Sequence, residues 1–283
     1  MKSTNTCIDG QTRRFGIIGH PLSHTLSPRM HNALLAKLGI NAIYFPLEIA
    51  PEKFETLVTQ LRFVFEGFNV TVPYKESILP FLDGVTDTAG KIGAVNTVFF
   101  KDGKWTGDNT DWKGFQDSLK FDYGVTFKNK NVLILGGGGS AKACFYSALW
   151  GGAKAIAMSN RTREKNDSLV EQGFDYSCQV CSMGIDPKEL KVCAEQSQIL
   201  INTTSIGLNP KDRHFFDFAS LSPKAFVYDL IYGKKTDFLE RAKKRGCKTG
   251  DGLGMLVRQG ALAFRIWTGK TPDVEFMKKS LGS

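Results

Sequence analysis

The chain lacks several features that mark membrane and secreted proteins. Its 283 residues contain no apolar run of about eighteen residues, so we expect no membrane-spanning helix. Residues 1–14 are polar and lack the apolar segment of a secretory signal. There are no internal repeats and no low-complexity segments. We therefore expect a cytoplasmic protein built from ordinary globular domains.

Clusters of metal ligands are also scarce. The chain has six cysteines and four histidines, and Cys178 and Cys181 form a single C-x-x-C pair. A structural zinc site needs four ligands, usually two such pairs. His20 and His24 lie in a proline-containing loop without a third ligand. We expect free thiols in a reducing compartment and no bound metal.

Basic residues are in excess. The formal net charge is +9, and much of the excess lies in residues 234–248. Basic stretches can bind nucleic acid, but here no aromatic residues alternate with the basic ones and no nucleic-acid motif occurs. We therefore expect no nucleic-acid and no membrane partner. A positive field also suits an anionic substrate and a phosphate-rich cofactor.

The first 115 residues have the pattern of an α/β domain. Strand-like runs and helical patterns alternate at residues 14–19, 28–38, 42–49, 51–64 and 67–72. This order implies parallel strands joined by crossover helices. Ser27 is predicted to be the N-cap of the first helix, with Pro28 at its first position. Residues 101–104 are predicted to form a hairpin turn.

A second strand–helix series begins after this domain. Strands are predicted at residues 131–135, 153–159, 198–201 and 225–230, and helices at 140–150, 237–245 and 253–267. The sequence therefore predicts an α/β protein with two domains and a cleft between them. Residues 1–115, completed by helices in 252–283, would form a substrate domain with a mostly parallel sheet. Residues 116–251 would form a Rossmann-like dinucleotide-binding domain.

A glycine-rich turn follows the strand at residues 131–135. Its spacing, Gly136-x-Gly138-x-x-Ala141, has a small residue at the third position. Glycines let backbone N–H groups approach a pyrophosphate, and the following helix N-terminus adds partial positive charge. The residues predicted to bind the cofactor here are Gly136, Gly138, Gly139, Ser140 and Ala141.

The next strand ends without the carboxylate that would bind the ribose 2′-hydroxyl of NAD. The polar and basic residues that follow it are Asn160, Arg161, Thr162, Arg163 and Lys165. Arginine can hold a 2′-phosphate through two parallel hydrogen bonds, which favours NADP as the cofactor. Alternatively, Arg161 and Arg163 are solvated residues at the start of a helix, where the helix dipole disfavours cations.

Lys75 and Asp111 each follow a strand-like run in turn-rich sequence. Open parallel sheets gather ligands beyond the carboxyl ends of their strands. Reduction of a ketone needs a proton donor as well as a hydride donor, and a lysine oriented by an aspartate can serve. Such a pair beside a dinucleotide turn indicates a dehydrogenase. For either residue alone, a surface role is the alternative.

The chain resembles the shikimate dehydrogenase family in motifs that run from about residue 14 to 269. They are HTLSP at 24–28, NVTVPYK at 69–75, GAVNT at 93–97, GDNTD at 107–111, NRT at 160–162, NTTSIGL at 202–208 and DGLGMLVRQ at 251–259. The resemblance implies the reversible NADPH-dependent reduction of 3-dehydroshikimate to shikimate, in the pathway to aromatic amino acids. Domain closure around the substrate is also expected.

The same resemblance implies roles for individual residues. Lys75 and Asp111 would form the acid/base dyad, and the hydroxyls of Thr25 and Ser27 would hold the substrate carboxylate. The residues that would bind the ring hydroxyls are Asn69, Thr71, Asn96, Asp111 and Gln259. Structural alternatives exist for several of them: an N-cap for Ser27, turn residues for Asn69 and Asn96, and an exposed helical position for Gln259.

Two departures from the family pattern leave alternatives open. Thr25 stands where the family usually has serine, and Trp112 follows the aspartate where glycine is common. The extra methyl of Thr25 narrows the carboxylate-binding region, and Trp112 would abut the cofactor or the cleft. A quinate/shikimate dehydrogenase of the same fold is therefore an alternative, as is a non-catalytic NADP-binding sensor. The sequence allows a monomer or a homodimer.

Overall fold

The chain folds into two units, each built on its own β-sheet. A computed structural model describes residues 8–208, 212 and 216–282, with only the backbone described at residue 165. Unit 1 comprises Met1–Gly114 and Leu256–Ser283, and unit 2 comprises Phe115–Met255. The chain passes from one unit to the other within two helices, α5 (Asp111–Tyr123) and α10 (Leu253–Thr268).

The described part of unit 1 contains a mixed six-stranded sheet. Its strands are β1 (Arg13–Gly19), β2 (Ala42–Glu48), β3 (Gly67–Val70), β4 (Gly84–Val85), β5 (Thr97–Lys101) and β6 (Lys104–Asp108). They lie in the order β2-β1-β3-β5-β6-β4. β1 is parallel to β2 and β3, whereas β5 is antiparallel to β3 and β6. The α/β class and the parallel start of this sheet are as predicted.

The predicted hairpin joins β5 and β6. Lys101 pairs with Lys104 across a two-residue turn. Asp102 and Gly103 in this turn have φ angles of 52° and 77°. Positive φ at both positions is typical of a type I′ turn, whose twist matches that of the strands.

The first helix of unit 1, α1 (Ser27–Lys37), begins differently from the prediction. Leu26 occupies the N-cap position with φ −94° and ψ −6°, and no side chain caps the helix there. The prediction that Ser27 is the N-cap is therefore wrong. Because Leu26 already has nearly helical angles, Ser27 does not adopt the extended conformation of a capping residue. Ser27 is instead the first helical residue, and it is buried.

The single helix predicted for residues 51–64 is divided into three short pieces. They are a 3-10 helix (Pro51–Lys53), α2 (Phe54–Val58) and a second 3-10 helix (Thr59–Phe63). The spacing nevertheless identified the buried face, because Phe54, Val58 and Leu61 are buried. Short 3-10 turns commonly flank α-helices. The remaining helices of unit 1 are α3 (Tyr74–Ser77), α4 (Asp87–Ile92) and α11 (Val274–Ser280).

The described part of unit 2 contains a six-stranded sheet in which every strand pair is parallel. Its strands are β7 (Asn131–Leu135), β8 (Ala155–Ser159), β9 (Gln179–Met183), β10 (Ile199–Asn202), β11 (Phe226–Asp229) and β12 (Lys248–Asp251). The order β12-β11-β10-β7-β8-β9 is that of a doubly wound dinucleotide-binding sheet. The strand order reverses between β7 and β10, where such sheets bind their ligands.

Helices connect these strands as crossovers: α6 (Gly139–Trp150), α7 (Glu164–Val170), α8 (Pro187–Gln196) and α9 (Asp237–Lys244). The sequence did not predict β9 or β12, the two edge strands. β12 reads KTGD and has no apolar residue, so its sequence carries no strand pattern. Only pairing with β11 makes it a strand.

Each unit has its own apolar core. In unit 1, residues such as Phe54, Phe68 and Val70 pack together, and in unit 2 Leu133, Leu200 and Val227 do the same. Among the described residues, no helix combines the length and the apolar character needed to cross a membrane.

Candidate active site

The segments that follow β1 and β3 leave the sheet of unit 1 at the same edge, because the two strands are parallel neighbours. The backbone N–H of His20 donates to the carbonyl of Val72 at 2.9 Å, which joins the two segments. A Cβ on Gly19 would clash with the side chain of Thr71, so glycine allows this close approach. The first segment continues to Thr25 and the second to Lys75. The carboxyl edge of the sheet thus gathers the candidate substrate residues.

Lys75 and Asp111 form a buried ion pair within unit 1. Lys75 lies in α3, just beyond β3, and Asp111 is the first residue of α5. Lys75 Nζ lies 2.6 Å from Asp111 Oδ2, and the two side chains are 12% and 5% exposed. The sequence placed these residues separately and the fold brings them into contact. A lone surface role for either residue is inconsistent with this burial.

Asn96 orients the carboxylate of this pair. Its Nδ2 donates to Asp111 Oδ1 at 2.8 Å, while its Oδ1 accepts from the backbone N–H of Thr110 at 2.7 Å. The backbone N–H of Asp111 donates to Asn109 Oδ1 at 3.0 Å. Both carboxylate oxygens of Asp111 therefore have a partner, one cationic and one neutral. Bonds at this spacing fix the carboxylate in one orientation.

Gln259 joins the network from α10. Its Oε1 accepts from Asn96 Nδ2 at 3.2 Å, and its Nε2 donates to the Leu256 carbonyl at 2.8 Å. A Cβ on Gly114 would lie 2.6 Å from the backbone nitrogen of Gln259, so Gly114 lets α5 and α10 approach closely. Gln259 is 8% exposed, which rules out the exposed helical position.

Asn69 lies behind this network on β3. Its Oδ1 accepts from the Tyr44 hydroxyl at 2.8 Å, and its Nδ2 donates to the Asn96 carbonyl and to Thr97 Oγ1. Asn69 is a strand residue and not a turn residue. Its amide is committed to bonds that hold the backbone before β5 in place. Asn69 therefore supports the position of Asn96.

The structure adds residues that the sequence did not single out. Tyr44, Thr97, Asn109 and Thr110 all bond to members of the network. Asn109 and Thr110 lie inside the GDNTD motif, so the motif itself was the available signal. Tyr44 had no such signal, because an aromatic residue in a strand normally indicates core packing.

Thr25 and Ser27 lie at the start of α1. The backbone N–H of Ser27 lies 3.4 Å from Thr25 Oγ1, and Thr25 is half-buried. Thr71 is also half-buried and follows β3 directly. Three hydroxyl-bearing residues are thus placed on the two segments that the His20–Val72 bond joins.

Trp112 follows Asp111 and lines a cavity of about 430 Å³ in unit 1. Asp108, Lys113 and Arg265 are among the other lining residues. His20, in the same unit, has its Nδ1 3.0 Å from Glu48 Oε1. Among the described residues, no group of three or more His, Cys, Asp or Glu side chains could hold a metal ion.

In unit 2, the glycine turn lies between β7 and α6. Gly136 has φ 126°, a conformation that side-chain-bearing residues rarely adopt, and its Cβ would clash with Thr203 Oγ1. A Cβ on Gly138 would meet nothing within 4 Å. Among the described residues, no side chain caps α6, so its first backbone N–H groups can donate hydrogen bonds to an anion. This open turn fits the pyrophosphate of a dinucleotide.

The other predicted residues of the turn differ in exposure. Ala141 is buried, which lets α6 pack closely on the sheet. Ser140 and Gly139 form the first turn of α6. Asn166 Oδ1 is buried and has no hydrogen-bond partner among the described residues, and a Cβ on Gly137 would lie 2.7 Å from it.

The segment after β8 has no acidic residue at the strand end. Asn160 Nδ2 donates to the Thr162 carbonyl at 3.0 Å, and Arg161 is exposed. Arg163 immediately precedes α7, with its Nε 3.8 Å from Asp167 Oδ1. The side chain of Lys165 lies outside the described residues. An exposed arginine at a strand end that lacks a carboxylate fits a 2′-phosphate better than a 2′-hydroxyl.

Comparisons with known proteins agree with this geometry. A family model described as the shikimate dehydrogenase substrate binding domain matches residues 17–98, and one described as the shikimate 5′-dehydrogenase C-terminal domain matches residues 252–281. A curated protein of Carboxydothermus hydrogenoformans, named shikimate dehydrogenase (NADP(+)), is 42% identical over 97% of this chain and 98% of its own length.

Solved structures give the same result. Shikimate dehydrogenase from Aquifex aeolicus has a TM-score of 0.86 and 40% identity, covering 98% of this chain and 100% of that one. Shikimate 5-dehydrogenase from Thermus thermophilus, in complex with NADP(H) and shikimate, has a TM-score of 0.83 and 34% identity, covering 96% and 99%. These matches extend over nearly the whole chain. The chain belongs to the shikimate dehydrogenase family.

Proposed function

We propose that the protein is an NADP-dependent shikimate dehydrogenase that interconverts 3-dehydroshikimate and shikimate. Unit 1 binds the substrate and unit 2 binds the cofactor. The observation that carries the proposal is the buried Lys75–Asp111 pair, held by neutral amide groups at the carboxyl edge of the unit 1 sheet. Family membership and the curated relatives named for the same enzyme and cofactor support it.

Lys75 and Asp111 supply the acid and base of the reaction. When bound, NADPH supplies a hydride to the carbonyl carbon of the substrate. The Lys75 ammonium donates a proton to the carbonyl oxygen as negative charge develops there, which leaves a neutral amine. Asp111 orients the ammonium, and the amine regains a proton from solvent. In the oxidation direction the neutral amine accepts the hydroxyl proton.

Substrate selection relies on uncharged polar groups. Thr25 and Ser27 bind the carboxylate through their hydroxyls, and Thr71, Asn96 and Gln259 bind ring hydroxyls. An unpartnered polar group in such a buried site costs about 1–3 kcal/mol, so an analogue that lacks a hydroxyl binds less well. Asn69 contributes by holding the backbone carbonyl of Asn96, to which its Nδ2 donates.

The cofactor residues lie at the switch point of the unit 2 sheet. Gly136, Gly138 and the N-terminus of α6, with Gly139, Ser140 and Ala141, hold the pyrophosphate. Asn160, Arg161, Thr162 and Lys165 hold the ribose 2′-phosphate, which gives the preference for NADP over NAD. Arginine supplies two parallel hydrogen bonds to the phosphate oxygens.

A spectrophotometric scan tests the proposal. Purified protein is mixed with shikimate or quinate and with NADP or NAD, and reduced nicotinamide is followed by its near-ultraviolet absorbance. We expect kcat/KM to be highest for shikimate with NADP. Faster turnover of quinate would instead assign the quinate/shikimate activity. The methyl of Thr25, beside the carboxylate-binding region, would then be the first feature to test as its cause. If neither acid reduces NADP or NAD, the non-catalytic NADP-binding sensor would be the remaining function.

A further inference from the structure

The cavity of about 430 Å³ in unit 1 is separate from the residues that we assign to the substrate. Its walls come from α4, from the end of β6 with the start of α5, and from α10. Neither Lys75 nor Asp111 lines it, and neither do the residues assigned to the substrate carboxylate and ring hydroxyls. Its volume lies within the range of small-molecule sites, about 300–1,000 Å³. A small ligand can therefore occupy this cavity while the substrate site stays free.

The lining carries both signs of charge, and the opposite charges do not pair with each other. Asp108 Oδ1 accepts from Thr86 Oγ1 at 2.6 Å and from the backbone N–H of Asn109 at 2.8 Å, whereas its Oδ2 accepts no hydrogen bond from a described residue. Arg265 is exposed, and no ion pair or hydrogen bond joins its guanidinium to another described residue. Lys113 adds a second cation to the lining. The cavity thus offers a carboxylate and a guanidinium to a ligand.

The rest of the lining is partly apolar. Leu262 and Ile266 lie one helical turn apart on α10 and therefore share a face. Trp112 contributes an aromatic side chain from α5. All three residues are half-buried, so the cavity has apolar surface that is still open to a ligand. Such a surface suits an aliphatic or aromatic group.

We propose that this cavity binds a zwitterionic α-amino acid with an apolar side chain. Its carboxylate accepts two parallel hydrogen bonds from the Arg265 guanidinium, and its ammonium group donates to Asp108 Oδ2. Because both charged groups are bonded to one carbon, the ligand bridges two protein charges that do not contact each other directly. Its apolar side chain packs on Trp112, Leu262 and Ile266. A simple anion leaves Asp108 unpaired and a simple cation leaves Arg265 unpaired, so both are poorer ligands.

The cavity shares a wall with the network around the catalytic pair. Asn109 and Thr110 line it. Asn109 Oδ1 accepts from the backbone N–H of Asp111 at 3.0 Å, and Thr110 Oγ1 accepts from Asn96 Nδ2 at 3.0 Å. A ligand against this wall lies beside the substrate site and not within it. The amino acid and the substrate should therefore bind at the same time.

Isothermal titration calorimetry of the full chain with L-phenylalanine tests the proposal. We expect saturable binding at one site per chain, and the same affinity in saturating shikimate. Two analogues test the charges: 3-phenylpropionate lacks the ammonium group, and phenethylamine lacks the carboxylate. Each should bind at least about tenfold more weakly, because it loses the charge-assisted hydrogen bonds of one group. Binding is measured directly, so the result does not depend on the proposed reaction.

Two variants locate the site. Arg265→Met removes the guanidinium, and Asp108→Asn removes the charge but keeps an oxygen that can accept from Thr86 and Asn109. Each should weaken the binding of L-phenylalanine at least about tenfold. Arg14→Met, at an exposed arginine of unit 1 outside the cavity, is the matched control and should bind with unaltered affinity. The comparison of analogues needs no variant, so it holds even if a variant misfolds.

Four results would overturn the proposal. The first is that L-phenylalanine shows no saturable binding at millimolar concentrations. The second is its displacement by shikimate, because the amino acid would then occupy the substrate site. Equal affinities for L-phenylalanine and 3-phenylpropionate would show that Asp108 does not contact an ammonium group. Unaltered binding by Arg265→Met would place the ligand outside this cavity.

Discussion

The two units differ in what they present at the carboxyl ends of their strands. In unit 1 the edge is occupied by side chains, with Lys75, Asp111 and Asn96 locked together by hydrogen bonds. In unit 2 the turn between β7 and α6 is open at Gly138, where a Cβ would meet nothing within 4 Å, and no side chain caps the backbone N–H groups that begin α6. Both edges lie at the carboxyl ends of parallel strands. Unit 1 presents polar and charged side chains there, whereas unit 2 presents backbone N–H groups.

This difference reflects the two kinds of ligand that we propose. A small polyol acid offers several hydroxyls in fixed positions, so each needs its own side chain. A pyrophosphate offers dense negative charge, which a glycine turn and a helix N-terminus accommodate without specific side chains. In this proposal, selectivity for the cofactor depends on the segment after β8, which contains Arg161. Substitutions in one unit should therefore leave binding to the other unit intact.

The largest effect should come from removing the ammonium group of unit 1. Lys75→Met should lower kcat by about 10²–10⁴-fold, because no positioned acid remains to protonate the developing alkoxide. Affinity for NADPH, measured by fluorescence titration, should stay unchanged because the proposed cofactor site is in unit 2.

One matched control and one second test accompany this experiment. Lys91→Met removes an exposed lysine of α4 and should leave kcat unchanged. Asp111→Asn keeps the size of the side chain but removes the charge beside Lys75, and kcat should also fall. Turnover by Lys75→Met at the unaltered rate would take Lys75 out of the mechanism.

The second largest effect concerns the core of unit 1 and its dependence on pH. His31 stacks on Tyr44 with ring centroids 4.3 Å apart, and burial lowers its pKa to about 3. Between about pH 6.5 and 3 the unfolded chain binds a proton that the folded chain does not, so stability falls as pH falls. Between pH 7 and 5 this residue should cost about 2 kcal/mol of unfolding free energy.

His31→Phe keeps a stacking ring and removes the titrating group, so its unfolding free energy should depend less on pH by that amount. Urea unfolding at pH 7 and pH 5 measures the difference. His24→Asn, at an exposed histidine, should retain the pH dependence of the unaltered chain. Identical pH dependence in His31→Phe and the unaltered chain would contradict the burial argument.

A smaller effect is expected at the cofactor segment of unit 2. Arg161→Ala should raise KM for NADP about tenfold and leave KM for NAD unchanged, since only the 2′-phosphate contact is lost. Steady-state kinetics with both cofactors measures this. Arg241→Ala, at an exposed arginine that pairs with Asp237, is the matched control. An equal rise for both cofactors would mean that Arg161 does not read the 2′-phosphate.

The smallest effect tests the support of the unit 1 network. Tyr44→Phe removes the hydroxyl that donates to buried Asn69 and should lower the unfolding free energy by about 1 kcal/mol. Tyr176→Phe removes a hydroxyl at an exposed hydrogen bond with Trp150 in unit 2 and should cost less. Urea unfolding of both variants gives the comparison. Equal losses would show that burial of the bond is unimportant.

Much of the fold could be predicted from local patterns. The strands with long apolar runs, such as β7 and β8, were predicted because burial on both faces requires such residues. β9 and β12 were not, since edge strands need few apolar residues. Ser27 is a residue type that commonly caps helices, but the nearly helical backbone angles of Leu26 place the N-cap one residue earlier. Local signals fail where pairing or a neighbouring residue decides the conformation.

The amino-acid sequence alone determined which chemical groups are available: a lysine, an aspartate, several amides and a glycine turn, each placed beyond a strand. Only the tertiary structure decided which of them meet. Lys75 and Asp111 are brought to 2.6 Å by the strands between them, and the Tyr44 hydroxyl on β2 reaches Asn69 on β3 across β1. The physical reason is that side-chain contacts between distant segments depend on strand order and register, which no local pattern encodes.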